Sequence, residues 1–110
     1  MAKTFDFNTL KKEYLTVRLK DDKKTVLMIG SPTKAILEEF TEINNRITYD
    51  DGADKEAIED LYKICAKVMS FNKGGIKVTV NQLANYDLED IMAFFNVYSE
   101  YMESVTSAKN

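Results

Sequence analysis

Residues 87–105 read DLEDIMAFFNVYSEYMESV, and this stretch decides the fold. Asp87 suits the N-cap of a helix, because its carboxylate can accept from the unpaired N–H groups of the first turn. Apolar residues then recur at steps of three and four, which places them on one helix face. They are Leu88, Ile91, Met92, Phe95, Tyr98, Met102 and Val105. We predict a long helix that is central in the domain, with Phe95 in the core.

Three further apolar residues of this stretch, Phe94, Val97 and Tyr101, form a second stripe beside the first. The whole apolar face is therefore wider than a single core contact needs. In a domain this small, a nearly surrounded helix can bury both stripes. Alternatively the second stripe binds a partner, since exposed apolar patches mark interaction sites. We take Phe94, Val97 and Tyr101 as the candidate partner-binding residues.

The N-terminal part of the chain has the period of strands. Residues 1–14 are polar, with scattered apolar side chains, and we interpret them as an arm or a short first turn. Residues 15–20 alternate apolar with polar, the pattern of a half-buried strand. A polar turn over residues 21–24 leads to the apolar, β-branched residues 25–29. The sequence predicts a hairpin over 15–29, which must pack on helices or gain a strand, because isolated hairpins are marginal.

After Gly30 the period changes to that of helices. Ser31 is a predicted cap and Pro32 a predicted first helical residue. The first helix extends to about Ile47, on an apolar stripe of Ile36, Leu37, Phe40, Ile43 and Ile47. Asp54 can cap a second helix, whose stripe is Ala57, Ile58, Leu61, Ile64, Cys65, Val68 and Met69. Gly74 and Gly75 follow its end, where glycine readily takes the left-handed conformation.

A short helical turn over residues 80–84 is predicted from a capping box, Thr79 with Gln82 three residues later. The fold class is therefore α+β: an N-terminal β-hairpin followed by a mainly helical domain with three principal helices. We predict a single domain over residues 1–110. It consists of an arm (1–14), the hairpin (15–29), the helical part (30–105) and a polar tail (106–110).

Size and composition suit an ordinary soluble domain. The chain has 110 residues, of which 45% are hydrophobic and 30% charged. No run of about 18 apolar residues predicts a membrane span, and the N-terminus lacks the apolar segment of a signal peptide. With one cysteine, Cys65, no internal disulfide is possible. These features favour the reducing cytoplasm. Cys65 occupies an apolar helix position, which indicates a core residue rather than a reactive thiolate.

No pattern in the sequence indicates catalysis. The absence of histidine removes the commonest general base and metal ligand. The acidic loop Tyr49–Asp54 does not match a calcium loop, and Gly30–Lys34 lacks the glycine spacing of a phosphate loop. The lysine clusters are short and outnumbered by acids, unlike a nucleic-acid-binding stripe. We predict a protein that is not an enzyme, with no cofactor, metal, nucleic acid, membrane or small-molecule substrate.

Two segments carry a resemblance to a known family. They are Gly30–Glu39, which follows the predicted hairpin, and residues 78–98, which include VTVNQL and YDLEDIMAFFNVY. The chain resembles the small tail assembly chaperones of long-tailed phages and prophages of Gram-positive bacteria. The resemblance covers most of the chain as architecture and about the last third as local sequence. It implies a helical, non-enzymatic protein that coats the tape measure protein in the bacterial host before the tail tube assembles.

Three functions stay open at this point. The first is the chaperone, which would bind the tape measure protein, keep it soluble and self-associate along it. The second is a small phage structural or adaptor protein that stays in the particle. The third is a regulatory protein-binding module, such as an inhibitor of a host protein.

Overall fold

The computed structural model describes residues 3–49 and 55–106. A short 3-10 helix at Phe7–Thr9 precedes the strands β1 (Leu15–Arg18) and β2 (Val26–Ile29). The helices that follow are α1 (Lys34–Tyr49), α2 (Lys55–Ser70), α3 (Val80–Leu83) and α4 (Leu88–Thr106). The predicted α+β class, a hairpin followed by a region with three long helices, is confirmed.

The hairpin turns one face toward the helices. β1 and β2 pair antiparallel, with Leu15 opposite Ile29 and Arg18 opposite Val26. Leu27 and Ile29 are buried, while Val26 and Met28 point outward and are exposed. This alternation follows from the two-residue side-chain period of a strand. The inner face of β2 therefore becomes part of the core.

A third segment completes the ribbon on the far edge of β2. The Gly30 N–H donates to the Phe71 carbonyl at 3.1 Å, and the Lys73 N–H donates to the Met28 carbonyl at 2.9 Å. The Asn72 amide holds this segment in a loop by donating to the Ile76 carbonyl at 2.6 Å. The pairing supplies the support that a two-stranded hairpin needs. It was not predicted, because residues 71–73 read as the end of a helix.

The core lies between the hairpin and the long helices, and α2 occupies its centre. This helix packs against α1, α3, α4 and β2. The prediction that the last helix is the central one is therefore corrected.

The helix α4 still enters the core through Ile91, Phe95, Tyr98 and Met102. Its stripe is shorter than predicted, because Leu88 and Val105 at its ends are 45% and 36% exposed. Both lie at helix termini, past the main packing surface.

The helix starts show which capping predictions hold. Thr79 and Gln82 form the predicted capping box, in which the Gln82 N–H donates to Thr79 Oγ1 at 3.2 Å. Asp87 caps α4, since its carboxylate accepts from the Asp90 N–H at 2.8 Å.

The predicted cap Ser31 is wrong. The helix α1 begins two residues after Pro32, and Thr33 Oγ1 accepts from the Ile36 N–H at 3.3 Å. Threonine is itself a favoured N-cap residue, so Thr33 takes the role predicted for Ser31 two residues later. The predicted cap Asp54 and the tail beyond Thr106 lie outside the described residues.

Candidate partner-binding surface

The three candidate partner-binding residues lie along one shoulder of α4. Val97 is 45% exposed, and Phe94 and Tyr101 are half-buried against the edge of the core. The ring of Tyr98 lies between them, with centroids 6.0 Å from Phe94 and 5.9 Å from Tyr101. The two aromatic side chains therefore both support the core and present an outer face. The sequence left open whether these residues belong to the core or to a partner-binding surface. In the structure Phe94 and Tyr101 belong partly to each, and Val97 is exposed.

Tyr101 connects this shoulder to the N-terminal arm. Its hydroxyl donates to the Glu13 carbonyl at 2.7 Å, across 88 residues of sequence. Partial burial, and then the charge of Glu13, raise the pKa of Tyr101. The phenol therefore stays protonated and able to donate at neutral pH. This bond holds the root of the arm against the C-terminal half of α4.

The arm presents three large apolar side chains to solvent. All residues from Lys3 to Glu13 are exposed, including Phe5 at 66%, Phe7 at 74% and Leu10 at 45%. The Asp6 carboxylate accepts from the Asn8 N–H at 2.9 Å and so caps the 3-10 helix. The Phe5 and Phe7 rings meet edge to face at 4.7 Å. The predicted arm or short first turn is thus a locally ordered segment.

The candidate site is the surface formed by these two regions. We call it the arm–α4 surface and define it by Phe5, Phe7, Leu10, Phe94, Val97 and Tyr101. A cavity of about 310 Å³ lies next to this surface, between the root of the arm and the C-terminal end of α4, and is lined by Lys11, Lys12, Glu13, Ser31, Ser104 and Val105. Exposed apolar side chains of this kind favour protein contacts. The arm half was missed by periodicity, because its side chains follow neither strand nor helix period.

Charged and polar groups at the N-terminal end of α4 form contacts that stabilise the fold. The Lys20 ammonium donates to the Asp90 carboxylate at 2.6 Å, while the Lys20 N–H donates to the Tyr86 hydroxyl at 2.8 Å. The bond from Lys20 is the main cause that lowers the pKa of Asp90. Tyr62 donates its hydroxyl to the Tyr86 carbonyl at 3.0 Å. These contacts attach the hairpin to the start of α4.

The single cysteine is enclosed by the core. Cys65 is 1% exposed, and burial raises the pKa of its thiol to about 12. A nucleophilic cysteine needs thiolate character and access, and Cys65 has neither at neutral pH. The predicted core position of Cys65 is confirmed.

Metal-binding groups and membrane-spanning helices are both absent from residues 3–49 and 55–106. This part of the chain holds no group of three or more histidine, cysteine or acidic side chains that could bind a metal ion. None of its helices has the length and apolar content needed to cross a membrane. Residues 50–54 of the acidic loop lie outside the described ranges.

Comparison with protein-family models, with curated proteins and with solved structures finds no match to this chain.

Proposed function

We propose that this protein is a phage tail assembly chaperone that binds the tape measure protein through the α4 part of the arm–α4 surface, which consists of Phe94, Val97 and Tyr101. It acts in the cytoplasm of the bacterial host, without enzymatic activity, and keeps its partner soluble before the tail tube assembles. The observation that carries the proposal is the exposed apolar shoulder of α4, with Val97 at its centre. The resemblance of residues 78–98 to that family supports the choice of partner.

A surface of this composition suits a long helical client. Apolar contact is non-directional, so it can recognise a pattern of apolar residues without an exact sequence. The apolar side chains of the arm stand apart from the core, so the arm can contact a neighbouring copy while α4 contacts the client. One small domain covers only a short piece of a long partner. Many copies are then needed, and neighbouring copies gain from contact with one another.

The test is co-expression with the tape measure protein encoded nearby, followed by pull-down and light scattering. Val97→Asp is the main variant, because Val97 is 45% exposed and its replacement leaves the core intact. It should abolish retention of the partner while the protein still unfolds cooperatively. The matched control is Val26→Asp on the outer face of the hairpin, where Val26 is 47% exposed. That control should retain the partner.

A stronger variant removes the two aromatic side chains, Phe94→Ser with Tyr101→Ser. Both are half-buried, so its thermal unfolding must be measured beside the binding. Loss of cooperative unfolding would assign these side chains to the core and leave the client contact to Val97. If the wild-type protein retains no tape measure protein at any accessible concentration, the chaperone proposal fails. Recovery of this protein in finished phage particles would favour the structural or adaptor function.

A further inference from the structure

A second cavity lies at the root of the arm, beside the point where Gly30 pairs with Phe71. Its volume is about 190 Å³, and its lining includes Lys12, Tyr14, Gly30, Phe71 and Lys73. Cavities for drug-sized ligands run from about 300 to 1,000 Å³, so this one suits a single side chain. Two aromatic rings and two lysines line it. The chemistry therefore favours an aromatic side chain accompanied by a negative charge.

The walls of this cavity are held in place by backbone pairing. Gly30 and Phe71 are joined by the bond from the Gly30 N–H to the Phe71 carbonyl, at 3.1 Å. A Cβ atom at Gly30 would lie 3.4 Å from the Phe71 ring and 3.8 Å from the Tyr14 ring, so it would occupy part of the space between the two rings. The Lys73 ammonium lies 5.5 Å from the centroid of the Tyr14 ring. The cavity is therefore formed before any occupant arrives.

The arm of the same chain has the matching chemistry. Phe5 and Phe7 are the most exposed of the large apolar side chains in the described ranges, and Asp6 lies between them. The bonds from Asn8 to the Asp6 carboxylate and the edge-to-face ring contact give this segment a fixed local shape. A segment ordered in advance loses less conformational entropy on binding. An aromatic–acidic–aromatic segment thus complements an aromatic cavity with two lysines.

We propose that residues 5–7 of one copy dock in the cavity of a second copy, with a phenyl ring between Tyr14 and Phe71. The Asp6 carboxylate then faces Lys12 and Lys73. In this structure the arm does not fill the cavity of its own chain, since Phe5 and Phe7 are exposed and neither lines the cavity. The occupant is therefore the arm of another copy. This inference deepens the self-association in the proposed function, on which it rests, and needs no tape measure protein.

The geometry has a consequence for assembly. The arm and the cavity are different surfaces of one chain, so the contact is head-to-tail. A head-to-tail contact leaves one arm and one cavity unoccupied in each pair, and it therefore extends into a ring or an open filament. Copies joined in this way would form a row, which matches a long client.

The experiment compares association by sedimentation velocity over a range of concentrations. The arm variant is Phe5→Ser with Phe7→Ser, and the cavity variant is Lys73→Glu. Each should lower the association constant at least about tenfold. Large aromatic side chains and paired charges contribute much of the binding free energy of an interface, so their loss has a large effect. Controls are Val26→Ser with Met28→Ser, and Lys77→Glu, which change exposed residues outside both surfaces. All variants should unfold at the wild-type temperature within a few degrees.

Mixing the two variants gives the decisive result. The cavity variant still has an intact arm and the arm variant an intact cavity, so the mixture should form heterodimers that do not grow further. The inference is overturned if the wild type stays monomeric, if the arm variant associates like the wild type, or if the mixture stays monomeric. If the wild-type protein assembles through its arm but does not bind the tape measure protein, only the proposed function is overturned. Tape measure binding by a monomeric wild type would overturn this inference alone.

Discussion

The phenyl rings of Phe40 in α1 and Phe95 in α4 lie stacked, with centroids 4.0 Å apart and planes inclined by 13°. Both side chains are buried, and Tyr98 packs beside Phe40 at 5.2 Å between centroids. This aromatic group joins the first and last long helices across the core. Aromatic pairs of this kind add about 0.5–1.5 kcal/mol to the free energy of burial.

Phe95→Ala should lower the free energy of unfolding by about 3–5 kcal/mol, as for other large core truncations. The substitution removes the stacked ring and leaves a cavity that Phe40 cannot fill from the opposite helix. Urea denaturation followed by circular dichroism measures the change. Val97→Ala, on the exposed shoulder of the same helix, is the control and should change the free energy by less than about 0.5 kcal/mol. A loss below about 1 kcal/mol for Phe95→Ala would contradict its core position.

Tyr98→Phe should leave the stability unchanged or raise it. The Tyr98 hydroxyl is fully enclosed and has no hydrogen-bond partner within the described ranges, and burial raises its pKa. A buried polar group without a partner carries a desolvation cost of about 1–3 kcal/mol, which the substitution removes. Tyr62→Phe is the matched control, because the Tyr62 hydroxyl donates to the Tyr86 carbonyl at 3.0 Å. That control should lose about 0.5–1.5 kcal/mol. A larger loss for Tyr98→Phe than for Tyr62→Phe would show that the Tyr98 hydroxyl is satisfied.

Asp90 should contribute to an acid dependence of stability. Hydrogen bonding from Lys20 is the main cause that lowers the pKa of Asp90 from its ordinary value of 3.8. A carboxyl with a lowered pKa in the folded state stabilises that state above its unfolded pKa. The contribution is lost as the pH falls below 3.8 and through the lower folded value. Urea titrations from pH 7 down to about 2 should show that Asp90→Asn differs from wild type near pH 7 and converges with it in acid.

Asp21 supplies the control for this pH experiment. Its pKa is also lowered, chiefly by bonds from the Thr25 hydroxyl and N–H rather than by a lysine partner. Added salt should therefore reduce the effect of Asp90→Asn more than that of Asp21→Asn, because salt screens exposed ion pairs. A constant difference between wild type and Asp90→Asn across the whole pH range would contradict the assignment to Asp90.

Local features of the fold were predictable from the sequence because they depend on neighbouring residues. The hairpin follows from strict alternation at 15–20, and the Thr79 capping box needs only residues three apart. The helix cap at Asp87 is equally local. The pairing of Gly30 with Phe71 was not predictable in this way, because its two residues lie far apart in the sequence. The sequence pattern of one helix or strand does not show which other segment of the chain pairs with it.

The arm–α4 surface also has one part that was predictable from the sequence and one part that was not. Periodicity identified Phe94, Val97 and Tyr101, because they share one side of a helix. Periodicity could not show that the Tyr101 hydroxyl reaches Glu13, 88 residues away. Nor could it show the arm as part of the surface, because Phe5 and Phe7 follow no regular period. The spacing Phe5-Asp6-Phe7 in an otherwise polar segment was the available signal.

Tyr101→Phe should loosen the arm without disturbing the core. The substitution keeps the ring that packs beside Tyr98 and removes only the hydroxyl that donates to the Glu13 carbonyl at 2.7 Å. The backbone around Glu13 then loses its link to α4, so its amides should exchange faster with solvent. The expected loss of stability is only about 0.5–1.5 kcal/mol, since one hydrogen bond is removed.

Hydrogen exchange read by NMR separates this local effect from general destabilisation. Tyr62→Phe is the matched control, because it also removes one hydroxyl bonded to a carbonyl, at Tyr86 on the opposite end of α4. Both variants should lose similar stability, but only Tyr101→Phe should speed exchange in residues 11–15. It should also weaken self-association, because an arm that is no longer held in place loses more entropy on docking. Unchanged exchange at the root of the arm in Tyr101→Phe would show that other contacts hold it, and would remove Tyr101 from the arm–α4 surface as its connecting residue.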